Sequence, residues 1–485
     1  MIKIICVICI GLLFVELTNA QIFNQIGANG IIKIRHGDVC LGDIDNDGDN
    51  DLIVSGSVGI NSSATYVYKN NGNGFFTHFQ SSGLPLVDFG SLATGDIDND
   101  GDLDLFVTGD WDFSGNYTEM FVNDGTGHFT AVNSSFPQVV LGDSEFFDAD
   151  NDGDLDLFYF GRTPDWTQIS KLFLNDGAGN FVESNQMFPP YINGSLDIGD
   201  VNGDSFLDIL ICGESGWLSN TQLLLNQGDG TFIDNGQSFV ANSFGTAKFI
   251  DIESDGDLDV VVNGITNGSM DYNSVFYEND GVGGFSDIGN LGLDSLMSNS
   301  LITADIDMDG DIDVFLSGRN SNNEDTCAIY LNDGGSFSKD NSFSHQGLYD
   351  GAAVFGRITN DCGIDLFYCG FGDYCNNESY LFRNEYITSI DCPPVVDDST
   401  TIDTLQDVEY TILSNPFSDI IRINLNTNVY KAFLYDDRGR IVRENYQYDS
   451  VILMDARDLL PGMYILKFRT FIGNREFEEK LIKVN

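Results

Sequence analysis

Short apolar runs recur down the chain, divided by strongly polar segments, and no stretch keeps an apolar stripe at helical spacing. One run in each unit, such as Leu105 to Gly109 (LFVTG) or Val314 to Gly318 (VFLSG), is apolar at nearly every position and ends in Gly, which predicts a buried strand. Ten to fifteen residues on, a second run leads into Asn-Asp-Gly and then Phe, as in Met120 to Phe129 (MFVNDGTGHF) and Leu172 to Phe181 (LFLNDGAGNF), the pattern of a hairpin. A further short apolar segment, such as Ser91 to Thr94 or Lys248 to Ile250, comes first. Each unit therefore supplies four strands, and helices are not expected.

Between the first and second strands of each unit lies an acidic nonapeptide. It reads DIDNDGDND at Asp43 to Asp51, DIDNDGDLD at Asp96 to Asp104, DADNDGDLD at Asp148 to Asp156, DVNGDSFLD at Asp200 to Asp208, DIESDGDLD at Asp251 to Asp259 and DIDMDGDID at Asp305 to Asp313. A damaged seventh copy, RITNDCGID, runs from Arg357 to Asp365. The start-to-start spacings of 53, 52, 52, 51, 54 and 52 residues define a repeat. Seven four-stranded units of this length predict an all-β fold with a seven-bladed β-propeller, which leaves only short strand edges. The seventh unit stops after its third strand, Tyr380 to Asn384, while Gln21 to Ile26 reads as a fourth strand without a blade. The N-terminal segment is expected to complete the last blade and close the ring.

In a loop of form D-x-D-x-D-G-x-x-D, side chains at positions 1, 3 and 5 converge, Gly at position 6 allows the turn, position 7 offers its carbonyl and position 9 returns a carboxylate. This all-oxygen set suits calcium; zinc would want His or Cys, which the six good loops lack. They are not EF-hands, because position 12 falls inside the apolar strand, as at Val54 or Val107. The expected ligands are Asp43, Asp45, Asp47, Asp49 and Asp51 in the first loop; Asp96, Asp98, Asp100, Asp102 and Asp104 in the second; and Asp148, Asp150, Asp152, Asp154 and Asp156 in the third. The fourth offers Asp200, Asn202, Asp204, the Phe206 carbonyl and Asp208, a weaker set; the fifth Asp251, Glu253, Asp255, Asp257 and Asp259; the sixth Asp305, Asp307, Asp309, Asp311 and Asp313. In the seventh, Arg357 among Asp361 and Asp365 is expected to stand in for a cation, so no metal is expected there. The six good loops hold 28 of the 75 acidic residues, and repulsion within them would open the turns without cations. About six structural Ca²⁺ ions are expected, each in a closed shell unsuited to catalysis.

The aspartate nonapeptide and the N-D-G-x-G-x-F hairpin together resemble the FG-GAP/VCBS repeat family over residues 21–386, whose members resemble the calcium-bearing blades of integrin α-subunits. That resemblance implies the seven-bladed propeller and structural calcium between strands one and two. It implies no single activity, since members include adhesins, carbohydrate-binding parts and lyase scaffolds.

Charge sharpens the picture. With 22 Lys+Arg against 75 Asp+Glu the formal net charge is −53, which disfavours nucleic acid and anionic lipid as partners. Residues 1–20, with Lys3, an apolar run from Ile4 to Val15 and Thr18-Asn19-Ala20, have the form of a signal peptide, and no other stretch is apolar enough for a membrane span. Of the cysteines that remain, Cys362, Cys369, Cys375 and Cys392 cluster, leaving open one disulfide among them or buried free thiols. Residues 387–408 read as a linker. Residues 409–485 then hold 11 of the 22 basic residues and 11 acidic ones, a separate neutral domain whose alternating strands suggest a small Ig-like antiparallel β-sandwich. The runs SNPFSD (Ser414 to Asp419), YDDRGR (Tyr435 to Arg440), LPGMYILKF (Leu460 to Phe468) and KLIKVN (Lys480 to Asn485) resemble the C-terminal sorting domain of the type IX secretion system of Bacteroidetes. The resemblance implies the secretion machinery as a partner and a secreted or cell-surface location.

No HExxH, G-x-S-x-G or phosphate-binding loop is present, and the four histidines fall at unmatched repeat positions, so no catalytic residue is assigned. Trp111, Trp166 and Trp217 each follow the Gly that ends the second strand in units two, three and four, which would set three indoles on the face opposite the acidic loops. Aromatic faces there suit a sugar or a protein, or pack on neighbouring loops. Two readings follow: a calcium-bound binding or adhesion module, expected to be monomeric, or a carbohydrate-active lyase or hydrolase on the same scaffold.

Overall fold

The computed structural model describes residues 23–385 apart from 29, 60–61, 81, 112–114, 133–134, 217, 267–270, 360, 362 and 373–375, and the backbone of six strands between 410 and 483. The chain divides into two compact units, Met1–Cys392 and Pro393–Asn485. Among the described residues there is no helix.

The first unit is seven antiparallel sheets, each built from consecutive strands except the last. The third blade is representative, with strands Ser144–Phe147, Asp156–Arg162, Gln168–Leu174 and Val182–Glu183. The second blade has one short extra strand, Val87–Asp88, beside Asp104–Trp111. In the seventh blade Phe23–Gln25 pairs with Asn376–Asn384 in the register Phe23↔Asn384, so the N-terminal segment supplies the missing fourth strand and the ring closes on itself.

Second strands are continuously apolar because both their faces are covered. Leu105, Phe106 and Val107 are all fully buried, with Phe106 facing the third blade and its neighbours the first. Seven apolar clusters among the described residues each occupy one junction between consecutive blades, and the closing Phe23 belongs to the junction of blades six and seven. Fully burying one such side chain contributes about 1.5–3 kcal/mol, so the propeller is held by its junctions and not by a central core.

At the channel mouth far from the acidic loops, the inner segments make a feature that periodicity does not predict. His36, Phe89, Leu141, Asn193, Phe244 and Asp350 all adopt left-handed backbone angles of φ 48 to 59°. Each precedes a Gly, and a Cβ on Gly90 would lie 1.8 Å from the Thr108 carbonyl oxygen, so only glycine fits. Amide-to-carbonyl bonds link these residues from blade to blade, Phe89 to His36 at 2.6 Å, Leu141 to Phe89 at 2.7 Å and Asn193 to Leu141 at 2.9 Å.

In the second unit, strands Tyr410–Leu413, Ile420–Tyr435, Ile441–Asn445, Asp449–Asp455, Gly462–Thr470 and Glu476–Lys483 pair in one sheet. Ile420–Tyr435 is one continuous strand whose pairing shifts register between Asn424 and Val429. The signal segment 1–20, the linker 387–408, and Cys362, Cys375 and Cys392 lie outside the described residues. Cys369 is a buried free thiol, as are Cys212 and Cys327, while Cys40 is a half-buried one.

Candidate metal centre

All six acidic nonapeptides fold into closely related turns between the inner and second strands. In the second, both oxygens of Asp96 accept backbone amides, from Asp100 at 3.1 Å and Gly101 at 3.0 Å, and Asp100 accepts the amide of Asp102 at 3.0 Å. Asp104 is fully buried and takes the Ile97 amide on one oxygen at 3.1 Å and the Asn123 amide on the other at 2.9 Å. The same bonds recur at Asp43, Asp47 and Asp51 and at Asp148, Asp152 and Asp156.

The turn needs left-handed backbone twice, at position 4 as well as position 6: Asn99 has φ 60° and Gly101 φ 95°. To the glycine turn expected at position 6 the structure adds a second left-handed residue at position 4. The fourth loop, which looks degenerate, keeps both angles with the residues exchanged, Gly203 at 71° and Ser205 at 73°. Its Asp200, Asn202, Asp204 and Asp208 make the same backbone bonds, and the Phe206 amide closes on Asp204 at 2.9 Å. Ser205→Gly is therefore expected to stabilise the propeller by about 1 kcal/mol, read as a rise in urea midpoint at constant slope.

Positions 1, 3 and 9 converge. In the first, second, third and sixth loops the triads Asp43–Asp45–Asp51, Asp96–Asp98–Asp104, Asp148–Asp150–Asp156 and Asp305–Asp307–Asp313 each bring three carboxylate oxygens within 4.8 Å of one another. In each triad one buried oxygen has no hydrogen-bond partner: Oδ1 of Asp45, Asp98, Asp150 and Asp305. Burial pushes Asp51, Asp104 and Asp313 up to about 7 and Asp156 up to about 6, against the amides that bind them, and neighbouring carboxylates push in the same direction. A hard cation would satisfy the partnerless oxygens and restore the ionised state, so donor set and geometry fit a calcium ion. Position 5 (Asp47, Asp100, Asp152, Asp204, Asp255, Asp309) stays exposed on the rim, and position 7 (Asp49, Asp102, Asp154, Asp257, Asp311) is half-buried. In the fifth loop, the longer Glu253 hydrogen-bonds to Asp259 and its carboxyl is pushed up to about 7, by burial first and by the Asp259 charge next.

The seventh loop corrects one expectation. Arg357 is exposed and does not bridge the carboxylates; the arginine near Asp361 is Arg383, at 3.9 Å. Asp365 is satisfied instead by the Thr359 amide at 2.6 Å and hydroxyl at 2.9 Å and by the Asn384 amide at 2.9 Å. A hydroxyl at position 3 thus does for this carboxylate what a cation would do elsewhere.

Sequence reasoning missed the asparagine of the hairpin turn, which read as a turn former. In every blade it is buried, and its side-chain amide reaches back to the position-2 carbonyl of the preceding blade's loop, Asn123 to Ile44 at 2.8 Å, Asn175 to Ile97 at 2.8 Å and, across the closure, Asn70 to Ile358 at 2.7 Å. The signal was its invariance from repeat to repeat.

A second acidic group lines the channel on the inner strands. Lys248 donates to Asp197 at 2.6 Å, close to Asp143, Glu145 and Asp38. Burial and the Asp143 charge push Glu145 up to about 8 and Asp38 up to about 7. A carboxyl raised in the folded state holds its proton there more tightly than in the unfolded chain, so stability falls as pH rises from about 4 towards 8. Glu145→Gln should soften that fall, leaving the variant about 1 kcal/mol better off relative to wild type at pH 8 than at pH 5, by melting at fixed calcium.

The indoles are less complete. Trp111 is 50% exposed and meets Tyr117 edge-on, Trp166 is 72% exposed under the Arg162 guanidinium, and Trp217 lies outside the described residues.

The FG-GAP-like repeat family matches residues 43–107, 96–159, 148–211 and 200–262, each match beginning on a position-1 aspartate, and the Secretion system C-terminal sorting domain matches residues 411–484. No curated protein matches the chain. Similar solved structures include a protein of unknown function from Dyadobacter fermentans (12% identity, 75% of this chain and 95% of that one, TM-score 0.39). Others are a mutant of the Aleuria aurantia lectin in complex with α-methyl-L-fucoside (12%, 60% and 91%, 0.35) and PorZ, a surface component of the type-IX secretion system of Porphyromonas gingivalis (10%, 92% and 81%, 0.29). At these scores the likenesses carry no functional weight. The sorting domain marks the chain for export by the type IX system to the cell surface or the extracellular space, and no described helix is long and apolar enough to cross a membrane. The chain is thus an exported seven-bladed β-propeller protein that carries four FG-GAP-like repeats and a secretion system C-terminal sorting domain.

Proposed function

We propose that this protein is a secreted or surface-held binding module in which calcium braces the propeller and the opposite face meets a glycan or protein ligand. The observation that carries the calcium is the buried carboxylate oxygen without a partner, repeated in four loops beside two further carboxylates. About six ions would sit in the six loops, on positions 1, 3, 5 and 9 and the position-7 carbonyl, with the fourth site weaker for lack of a carboxylate at Asn202. Such shells are filled by the protein, so the metal is assigned to stability and not to catalysis. In this reading residues 1–20 are removed, 21–386 form the monomeric module, 387–408 are a linker and 409–485 engage the secretion machinery.

The binding face is the one that carries the second-to-third-strand connections. Exposed Trp111 and Trp166, with Arg162 stacked 4.2 Å over Trp166, present rings that suit a sugar or a protein surface. The test is a glycan array and whole-cell binding in calcium with a folded variant carrying Ala at Trp111, Trp166 and Trp217. Binding should fall at least about tenfold. Unchanged binding would remove the indoles from the site, and turnover of polysaccharide by the wild type would replace the module with an enzyme.

A further inference from the structure

On the face opposite the acidic loops, cations and rings alternate in a row that crosses blades six, seven and one. The Arg319 guanidinium lies 3.6 Å over the Tyr349 ring, Tyr349 meets Phe371 edge-on with centroids 5.4 Å apart, and Arg35 lies 4.5 Å over Phe371. One end of the row is neutralised, since Asp325 takes Arg319 in a two-bond fork at 2.7 and 3.1 Å. The other end is not. Among the described residues Arg35 forms no ion pair, and its Nε is buried without a hydrogen-bond partner.

Arg35 also faces a cavity of about 520 Å³ between the seventh and first blades, lined in part by Lys33, Phe371, Asn376, Asn377 and Glu378. Lys33 contacts the Glu378 carboxylate, and Asn377 is held by the Ser57 carbonyl at 2.7 Å. Among the first five blades the arginine is particular to the first: where it has Arg35, the same repeat position holds Asp88, Val140, Ile192 and Ser243 in the next four. In a chain with 22 basic residues against 75 acidic ones, a pocket with two cations and one carboxylate is locally inverted in charge.

We propose that this pocket binds a carboxylate-bearing sugar, a uronate unit of an acidic polysaccharide. A guanidinium held over a ring offers paired donors that match a planar carboxylate. Glu378 and Asn376 supply an acceptor and an amide for ring hydroxyls, and the volume lies within the range of small-molecule sites. The surrounding negative field selects against densely charged polymers such as nucleic acid or highly sulfated chains and admits a sugar with one charge per residue. The site is separate from the indoles and from the acidic loops, and it goes beyond the module reading by naming a ligand.

The test is calorimetric titration of the full chain in calcium with a glucuronate-ended disaccharide and with its neutral glucose-ended counterpart. The acid should bind at least about tenfold more tightly than the neutral sugar, and Arg35→Gln should lose about tenfold for the acid alone. Glu378→Gln, which frees Lys33, should bind the acid several-fold more tightly, a gain that misfolding cannot produce. Equal binding of the two sugars, tighter binding of a sulfated analogue or an acidic peptide, undiminished binding by Arg35→Gln, or weaker binding by Glu378→Gln would each overturn the proposal. Retention of uronate binding by the tryptophan variant would show that the two sites stand or fall separately.

Discussion

Removing calcium should unfold the propeller at ordinary temperatures. At free calcium about one hundred times a site's Kd, binding stabilises the folded state by about 2.7 kcal/mol per site. The four loops whose carboxylates converge within 4.8 Å would together contribute about 11 kcal/mol, comparable to the whole stability of an ordinary domain at 5–15 kcal/mol. The sign follows from the loops themselves: without a cation, the buried oxygens of Asp45, Asp98, Asp150 and Asp305 lose their compensation while neighbouring carboxylates repel. The expected result with EGTA is a fall of tens of degrees in melting temperature and rapid proteolysis within the loops, both reversed by calcium and not by magnesium at equal concentration. A melting curve that ignores chelation would refute the metal reading, and recovery in magnesium would reassign the ion.

Asn175→Leu should cost about 3–5 kcal/mol in urea unfolding, the largest loss expected from a single side chain outside the apolar junctions. Asn175 is 6% exposed, donates to the Ile97 and Leu155 carbonyls at 2.8 and 3.1 Å, and accepts the Asp176 amide at 2.9 Å. Leu fills the volume but leaves two buried carbonyls and one amide unmatched. Because Ile97 is position 2 of the Asp96 loop, the substitution should also weaken calcium binding one blade away. A loss below about 1 kcal/mol would show that water or backbone adjustment replaces the amide.

Much of this was legible because the repeat writes the same physics many times. The nonapeptide spacing gave the blade count, the Gly-terminated apolar runs gave the twice-buried second strands, and the strand missing after Asn384 pointed to Phe23–Gln25. What stayed hidden were conformations and partners that residue type does not encode. Position 4 of the acidic loops is left-handed whether it is Asn99, Ser254 or Met308, so its angle is dictated by the turn and not by the side chain. Asn175 looked like turn chemistry because its partner Ile97 is far away in sequence. Arg357 looked like an internal cation because its neighbours in sequence are acidic, yet the fold leaves it in solvent and gives Asp365 a hydroxyl. Arg35 had no signal, since it meets Phe371 only when the ring closes.

The three-residue pairing of Phe23–Gln25 with Asn376–Asn384 has a mechanical consequence. The polypeptide leaves the wheel from that same strand, so when the C-terminal segment is anchored and a ligand is pulled by flow, the load enters through the last blade. Its outer edge is clasped by three residues that come from the far end of the chain, with Phe23 sunk in the adjoining junction as the pin. Tension would peel this blade before any other, and a circular permutant that moves the seam to another blade should withstand greater force.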